Sequence, residues 1–164
     1  MKIVIFYSTL IEDTKESAKI LKNLINAEVV LIPIERAKDE CILKYNFIVL
    51  GASAYNGRVQ NSFKIFISRN IKTLLGKPHA LYVNGDENLD ILYNLNKAFT
   101  PELIESSFAC GNFGYNINTD RGNFLERRKS KKLIEKSGEI PSLNKEEIEN
   151  YANRINDIIE KRVG

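Results

Sequence analysis

Apolar positions along this chain form two kinds of pattern that alternate with one another. Short, nearly continuous apolar runs are typical of strands buried on both faces, as in a parallel sheet that is covered by helices. Between the runs, apolar residues recur at the spacing of a helix face. The five predicted strands are Ile3–Tyr7, Val29–Ile32, Phe47–Leu50, Ala80–Val83 and Ser107–Cys110.

Helical spacing is clearest in three places. One apolar stripe runs along residues 18–25 after the first strand, and another along residues 59–71 after the third. The last helix has the best-defined start, because Asn144 can accept a hydrogen bond from the first turn and Leu143 can pack against Ile148. Helices are therefore predicted between the strands and at the end of the chain.

Strands that alternate with helices predict a three-layer α/β sandwich. Right-handed crossovers favour a five-stranded parallel sheet of order 2-1-3-4-5, with a ligand at the carboxyl ends of strands one and three. The chain of 164 residues suffices for one core, so residues 1–164 are predicted to form a single domain.

The loop after the first strand has the features of a phosphate site. The first N–H groups of a helix lack internal partners and carry the positive end of the helix dipole, so they suit an anion. Hydroxyl groups at Ser8, Thr9 and Thr14 add further donors. The candidate phosphate-binding residues are Ser8, Thr9, Leu10, Ile11, Glu12, Asp13 and Thr14.

Two carboxylates in this loop favour an alternative. Each of Glu12 and Asp13, placed about 6 Å from a phosphate, would oppose binding by roughly 3 kcal/mol at an effective dielectric near 20. The same carboxylates can instead satisfy the helix N-terminus themselves. In that case the loop is closed to a phosphate group.

The loop after the third strand is rich in small residues and carries one aromatic residue. Glycine allows close approach of the backbone to a flat ligand, and Tyr55 offers a planar face for stacking. An ordinary β-to-α turn with a surface tyrosine explains the same pattern. The candidate ligand-contacting residues are Ala52, Ser53, Ala54, Tyr55, Asn56 and Gly57.

Composition narrows the class of protein. With 43% apolar and 27% charged residues the chain is expected to be globular. Cys41 and Cys110 match no zinc or redox spacing, and His79, the only histidine, has no neighbours at metal-ligand spacing, so no metal site is expected.

No apolar run is long enough to span a bilayer, and no signal peptide is recognisable. A cytoplasmic protein is expected.

Charge is concentrated in one segment. The net charge of +3 is mild, but residues 121–136 carry seven lysines and arginines against two glutamates. This basic segment, Arg121 to Lys136, predicts contact with an acidic protein, an anionic ligand or, peripherally, a membrane surface. No stacking platform accompanies the charge, so no nucleic acid is expected.

Together the two loops resemble the flavodoxin-like family, most closely the flavodoxin domain of the menaquinone-dependent protoporphyrinogen oxidase type. The stretch Tyr7–Glu16 looks like the phosphate loop and helix start of the family, and Gly51–Gly57 followed by Ser62 and Phe63 looks like its second flavin loop. Val83 and Asn84 end the fourth strand where the family places a third flavin-contacting loop.

The resemblance implies a non-covalently bound FMN. Its phosphate would lie on residues 8–14, and its ring between the Ala52–Gly57 loop and the turn at Asn84 and Gly85. The flavin then carries the redox chemistry, and no catalytic side chain is implied. Implied partners are a redox partner protein, a quinone or a small-molecule substrate such as a tetrapyrrole, and the open sheet edges allow a homodimer.

Two hypotheses follow from these observations. The first is an FMN-binding redox protein, active in electron transfer or as a protoporphyrinogen-oxidase-like oxidoreductase, in which Glu12 and Asp13 point to solvent. The second is a flavin-free flavodoxin-like binding or interaction module, in which these carboxylates hydrogen-bond to the first-turn amides of their own helix.

Overall fold

A five-stranded parallel sheet of order 2-1-3-4-5 forms the centre of the computed structural model. The structure describes residues 1–116, 128, 131–132, 134–136 and 142–163. Helices cover both faces of the sheet, so the predicted α/β sandwich and strand order are confirmed. The strands are β1 Lys2–Tyr7, β2 Glu28–Pro33, β3 Phe47–Ser53, β4 His79–Asn84 and β5 Cys110–Asn112.

Five helices with defined bounds lie around the sheet, and short 3₁₀ segments occupy three of the loops. Residues 128, 131–132 and 134–136 are also helical. The helices are α1 Glu12–Leu24, α2 Asn61–Leu75, α3 Ile91–Ala98, α4 Pro101–Ser106 and α5 Lys145–Val163. The 3₁₀ segments are Ile34–Arg36, Asp39–Lys44 and Tyr55–Gly57.

Buried side chains of β1 alternate between two apolar layers. Ile3 and Ile5 pack with α1 and α5 on one face, while Val4 and Phe6 pack with α2, α3 and α4 on the other. This alternation is what a period of two requires of a strand covered on both faces. It explains why the apolar runs in the sequence are continuous.

The fifth strand begins later than predicted. The sequence predicts Ser107–Cys110, whereas the strand is Cys110–Asn112. Pairing with β4 starts near the predicted place, since the Phe108 amide donates to the His79 carbonyl at 2.8 Å. The pairing with β4 then extends as far as the Phe113 amide. The residues between are small or polar, so they form no apolar run in the sequence.

The last helix starts as predicted. The Asn144 side chain accepts a hydrogen bond from the Glu147 amide at 3.0 Å, and Leu143 and Ile148 are both buried beside it. Among the helices within the described ranges, none is long and apolar enough to cross a membrane.

His79 has a structural place at the opposite, amino edge of the sheet. Its ring is almost fully buried, with Nδ1 2.9 Å from the Lys77 carbonyl oxygen and Nε2 3.0 Å from that of Leu103. These contacts join the start of β4 to α4.

Candidate functional site

The loops that follow β1, β3 and β4 meet at the carboxyl edge of the sheet. Tyr7 pairs with Gly51 at the ends of β1 and β3, and Ser53 pairs with Asn84 at the ends of β3 and β4. The Ser8 amide donates to the Gly51 carbonyl at 2.8 Å. The structure therefore brings the three predicted loops together.

The loop after β1 leads directly into α1. Ile11 occupies the N-cap position and provides no side-chain acceptor for the first-turn amides. Thr14 is fully buried in this turn, and its hydroxyl has no hydrogen-bond partner among the described residues. A helix start that keeps unsatisfied donors is a suitable place for an anionic group.

Glu12 and Asp13 do not hydrogen-bond to these amides in the described part of the chain. Glu12 is exposed and pairs with Lys15 at 3.3 Å. Asp13 accepts hydrogen bonds from the backbone amide and side-chain amide of Asn116, at 3.0 and 2.8 Å. Glu12 points to solvent, as the flavin-binding hypothesis predicts. The Asp13 carboxylate is hydrogen-bonded to Asn116 and not to the first-turn amides.

Two residues that the sequence analysis did not single out contact the loop instead. The Gln60 side-chain oxygen accepts from the Ser8 hydroxyl at 2.7 Å and from the Thr9 amide at 2.8 Å. Glu35 accepts from the Thr9 hydroxyl and from the Gln60 side-chain amide. The strand order could have indicated these two residues, because both lie shortly after the carboxyl ends of strands that flank the site.

The Glu35 carboxylate is held in its charged form. Partial burial raises its pKa, but hydrogen bonds donated by Thr9 and Gln60 outweigh burial and leave the pKa below its ordinary value. A negative charge therefore lies beside the hydroxyl groups of the loop at neutral pH.

The loop after β3 turns sharply at its tip. Ala52, Ser53 and Ala54 are buried, while Asn56 and Gly57 are exposed and adopt positive φ angles of 51° and 68°. Glycine and asparagine adopt this region at least cost, so the residue types suit the turn. The turn leaves Tyr55 half-buried at the edge of the site.

Tyr55 faces a second tyrosine from the segment after β5. Its ring centroid lies 4.7 Å from that of Tyr115, with an interplanar angle of 68°. Burial, with smaller contributions from Asp86 and Tyr55, raises the pKa of Tyr115 to about 12, so its hydroxyl stays neutral. Tyr55 is thus the half-buried aromatic ring beside the β3 loop, and Tyr115 is buried in contact with it.

The turn after β4 contributes backbone to the site. The Asn84 side chain points inward and donates to Ser17 at 3.0 Å and to the Gly114 carbonyl at 2.9 Å. A Cβ at Gly85 would lie 2.7 Å from the side-chain oxygen of Asn94, so a side chain here would displace Asn94. Both residues are buried against the neighbouring loops.

The three acidic residues beyond this turn have local partners. Asp86 accepts from the Asn88 amide at 2.9 Å, and Asp90 caps α3 by accepting from the Leu92 amide at 2.8 Å. Glu87 accepts from the Asn144 side chain at 2.6 Å. Their positions are explained by loop structure and do not require a bound cation.

The basic segment is only partly described. Its members Arg121, Arg127 and Lys129 lie outside the described residues. Its other cations are exposed, and they are Arg128, Lys131, Lys132 and Lys136.

The residues present fit an anionic, planar cofactor. Thr14 keeps a buried hydroxyl oxygen without a partner in the described part of the chain, at a helix start whose amides no side-chain cap covers. Tyr55 lies one loop away, half-buried, and its ring is supported by the buried ring of Tyr115. Phosphate and ring would therefore occupy neighbouring parts of the same edge.

Comparison with known proteins gives the class of this protein. A family profile described as a flavodoxin domain matches residues 4–142. The chain therefore belongs to the flavodoxin domain family. No match was found among curated protein sequences.

Solved structures support the fold. Oxidised flavodoxin 2 from Bacillus cereus has a TM-score of 0.62 at 20% identity, covering 96% of this chain and 99% of that one. A Streptococcus pneumonia TIGR4 flavodoxin has a TM-score of 0.60 at 12% identity, covering 96% and 99%. Fusobacterium nucleatum flavodoxin, described as bound to flavin mononucleotide, has a TM-score of 0.54 at 14% identity, covering 95% and 97%.

Proposed function

We propose that this protein binds FMN without a covalent bond at the carboxyl edge of its sheet and exchanges electrons with a redox partner protein. The observation that carries the proposal is the pairing of an uncapped helix start at α1 with the Tyr55 and Tyr115 rings on adjacent loops. Membership of the flavodoxin domain family supports it, as does the structural neighbour described with bound flavin mononucleotide.

Each loop has a distinct role in this proposal. Residues 8–14 hold the phosphate through backbone amides and the hydroxyls of Ser8, Thr9 and Thr14. The Ala52–Gly57 loop orients the ring and shields it from water, with Tyr55 stacked on it. The buried turn at Asn84 and Gly85 forms the remaining wall.

FMN, when bound, supplies the capacity to accept and donate electrons. The chain needs no acid–base pair for this task, because its residues bind, orient and shield the cofactor. A redox partner protein must reach the exposed side of Tyr55, which lies at the open edge of the site.

A finer form of the proposal gives the protein a protoporphyrinogen-oxidase-like activity. The four exposed cations of the basic segment support it, because they suit a carboxylate-bearing tetrapyrrole, a quinone-bearing membrane surface or an acidic partner. Anaerobic formation of fluorescent porphyrin from porphyrinogen by the FMN-loaded protein, with a quinone supplied to accept the electrons from the flavin, tests this form. Absence of product while a partner protein is reduced would restrict the function to electron transfer.

Titration of FMN into flavin-free protein tests the main proposal. We expect saturable one-to-one binding with quenched flavin fluorescence. No binding by the natural sequence, with binding gained by the double variant Glu12→Gly, Asp13→Asn, would support the flavin-free module instead.

A further inference from the structure

The side chains of Glu35 and Gln60 accept from three of the donors that a phosphate would use, which are the Ser8 hydroxyl, the Thr9 amide and the Thr9 hydroxyl. Gln60 accepts from the Ser8 hydroxyl and the Thr9 amide, at 2.7 and 2.8 Å. A backbone amide only donates, so the Gln60 atom that faces it is the oxygen, and the Gln60 nitrogen is left to donate to Glu35. We call these two side chains the Glu35–Gln60 latch.

The latch joins three loops that are distant in sequence. Thr9 follows β1, Glu35 follows β2 and Gln60 follows the β3 loop, and the three side chains share hydrogen bonds. The carboxylate accepts from both Thr9 and Gln60, so the charge of Glu35 is fixed in place next to the phosphate loop. An exposed glutamate without such partners would be free to turn away.

Glu35 differs in this respect from the other two carboxylates of the region. Glu12 is paired with Lys15, which offsets its charge. Asp13 is held by Asn116, which lies in the segment after β5. Of these three carboxylates, Glu35 is the one that hydrogen-bonds to a hydroxyl of the predicted phosphate site.

A phosphate and the Glu35 carboxylate would compete for the Thr9 hydroxyl. Two anions that share one hydroxyl partner lie within about 5 Å of each other, and they repel even in a largely solvated setting. A flavin that ends in a hydroxyl group carries no such charge and can donate a hydrogen bond to the carboxylate. The latch therefore weakens the binding of a flavin that ends in a phosphate and does not weaken the binding of one that ends in a hydroxyl group.

We propose that Glu35 determines phosphate specificity at this site and lowers the preference for FMN over riboflavin. This inference rests on the proposed function, because it requires a flavin in the site. Glu35 acts on the terminal group of the ligand and leaves ring binding by the Tyr55 loop unchanged.

The test measures FMN and riboflavin affinities in parallel for the natural sequence, Glu35→Gln and Glu35→Lys. Glutamine keeps an oxygen that accepts from Thr9 and removes the charge, and lysine reverses the charge. We expect Glu35→Gln to tighten FMN binding at least about fivefold at about 0.1 M salt, and Glu35→Lys to tighten it further. Riboflavin affinity should change less than about twofold in Glu35→Gln, since riboflavin carries no phosphate charge.

Glu28→Gln is the matched control. Glu28 is an exposed glutamate that pairs with Lys2 at 3.6 Å, at the amino end of the same strand that precedes Glu35. At roughly 3.3 Å per residue it lies more than about 15 Å from the site, beyond the screening length at moderate salt. The control makes the same change in net charge and should leave both affinities unchanged.

The outcomes separate this inference from the proposed function. A rise in the ratio of FMN to riboflavin affinity in Glu35→Gln, absent in Glu28→Gln, supports the role of Glu35. Binding of both flavins with a ratio that no Glu35 variant alters overturns that role and leaves flavin binding intact. No binding of either flavin by any variant overturns both.

Discussion

At the scale of single residues, two of the four buried side-chain polar atoms without partners in the described residues lie at the carboxyl edge. The other two belong to Thr100, before α4, and Tyr151, within α5. The Thr14 hydroxyl and the Asn84 side-chain oxygen are buried without hydrogen-bond partners in the described part of the chain, and both lie where the three loops meet. An unpaired buried polar group costs typically about 1–3 kcal/mol, so it is retained where it serves a purpose. Ligand binding at this edge is such a purpose.

Tyr55 should contribute to flavin binding through its ring. Replacing it with serine removes the stacking face and should weaken FMN and riboflavin equally, by about tenfold or more. Tyr55→Phe keeps the ring and should bind both nearly as the natural sequence does. Fluorescence titrations measure both effects, and equal affinities in the serine and phenylalanine variants would exclude stacking.

Gly51 should tolerate no side chain. A Cβ at this position would lie 2.0 Å from the Tyr82 ring, whose hydroxyl donates to the Thr14 carbonyl at 2.9 Å. Gly51→Ala should therefore displace Tyr82 and lower the free energy of unfolding by about 3 kcal/mol in urea titrations. Gly76→Ala is the control, since its Cβ would lie 3.4 Å from its nearest neighbour, and an equal loss there would contradict the explanation.

At the scale of elements, short contacts between loops and helix ends position the site. Asn144 caps α5 and also donates to Glu87 in the loop after β4. Asn116 joins the start of α1 to Leu143, whose amide donates to it at 3.2 Å. The helix ends on this face are therefore tied to the loops that line the site.

The cap at Asn144 should be measurable by substitution. Asn144→Ala removes the acceptor for the Glu147 amide and should lower the free energy of unfolding by about 1–2 kcal/mol. Asn144→Ser retains a capping oxygen and should lose less. Urea unfolding of both variants provides the measurement, and an alanine variant as stable as the natural sequence would be inconsistent with the cap.

Asp39 gives the second 3₁₀ segment a pH-dependent contact with α2. Its carboxylate accepts from Asn70 at 2.8 Å and from Arg69 at 3.1 Å. The Asn70 hydrogen bond, with a smaller contribution from Arg69, lowers the pKa of Asp39 from its ordinary value of 3.8. A lowered pKa means that this contact stabilises the fold above pH 3.8 and loses its effect as the pH falls below that value.

Asp39→Asn removes this charge and is expected to be less stable than the natural sequence at neutral pH. The difference should shrink as the pH falls through the lowered pKa, because the carboxyl group of the natural sequence is then protonated too. Urea midpoints recorded across acidic pH provide the comparison. A difference that is constant with pH would show that the charge of Asp39 is not involved.

The sheet was predictable from sequence, and the latch was not. Each strand carries its own apolar run, so local pattern and crossover rules together give the order 2-1-3-4-5. Glu35 and Gln60 stand in polar loops without periodicity, and their contact with Thr9 depends on how three loops fold over one edge. The late start of β5 was missed for the same reason, since pairing there is carried by Gly111 and Asn112.

At the scale of the whole molecule, the sheet joins two apolar layers into one structure. β1 supplies Ile3 and Ile5 to one layer and Val4 and Phe6 to the other. Loss of either layer would expose one face of the same strands. We therefore propose that residues 1–164 form one cooperative domain.

Calorimetry tests that proposal. We expect one thermal transition whose calorimetric and van't Hoff enthalpies agree. Two separated transitions would mean that part of the chain unfolds independently of the sheet.

A flavin that binds across three loops at the carboxyl edge can be located directly by NMR. Amide spectra of ¹⁵N-labelled protein recorded during an FMN titration should show saturable changes for residues 8–14, 52–57 and 84–85. The amides of Lys77 and His79, at the amino edge, should remain unchanged. Saturable changes confined to the amino edge, or none at all, would contradict the account.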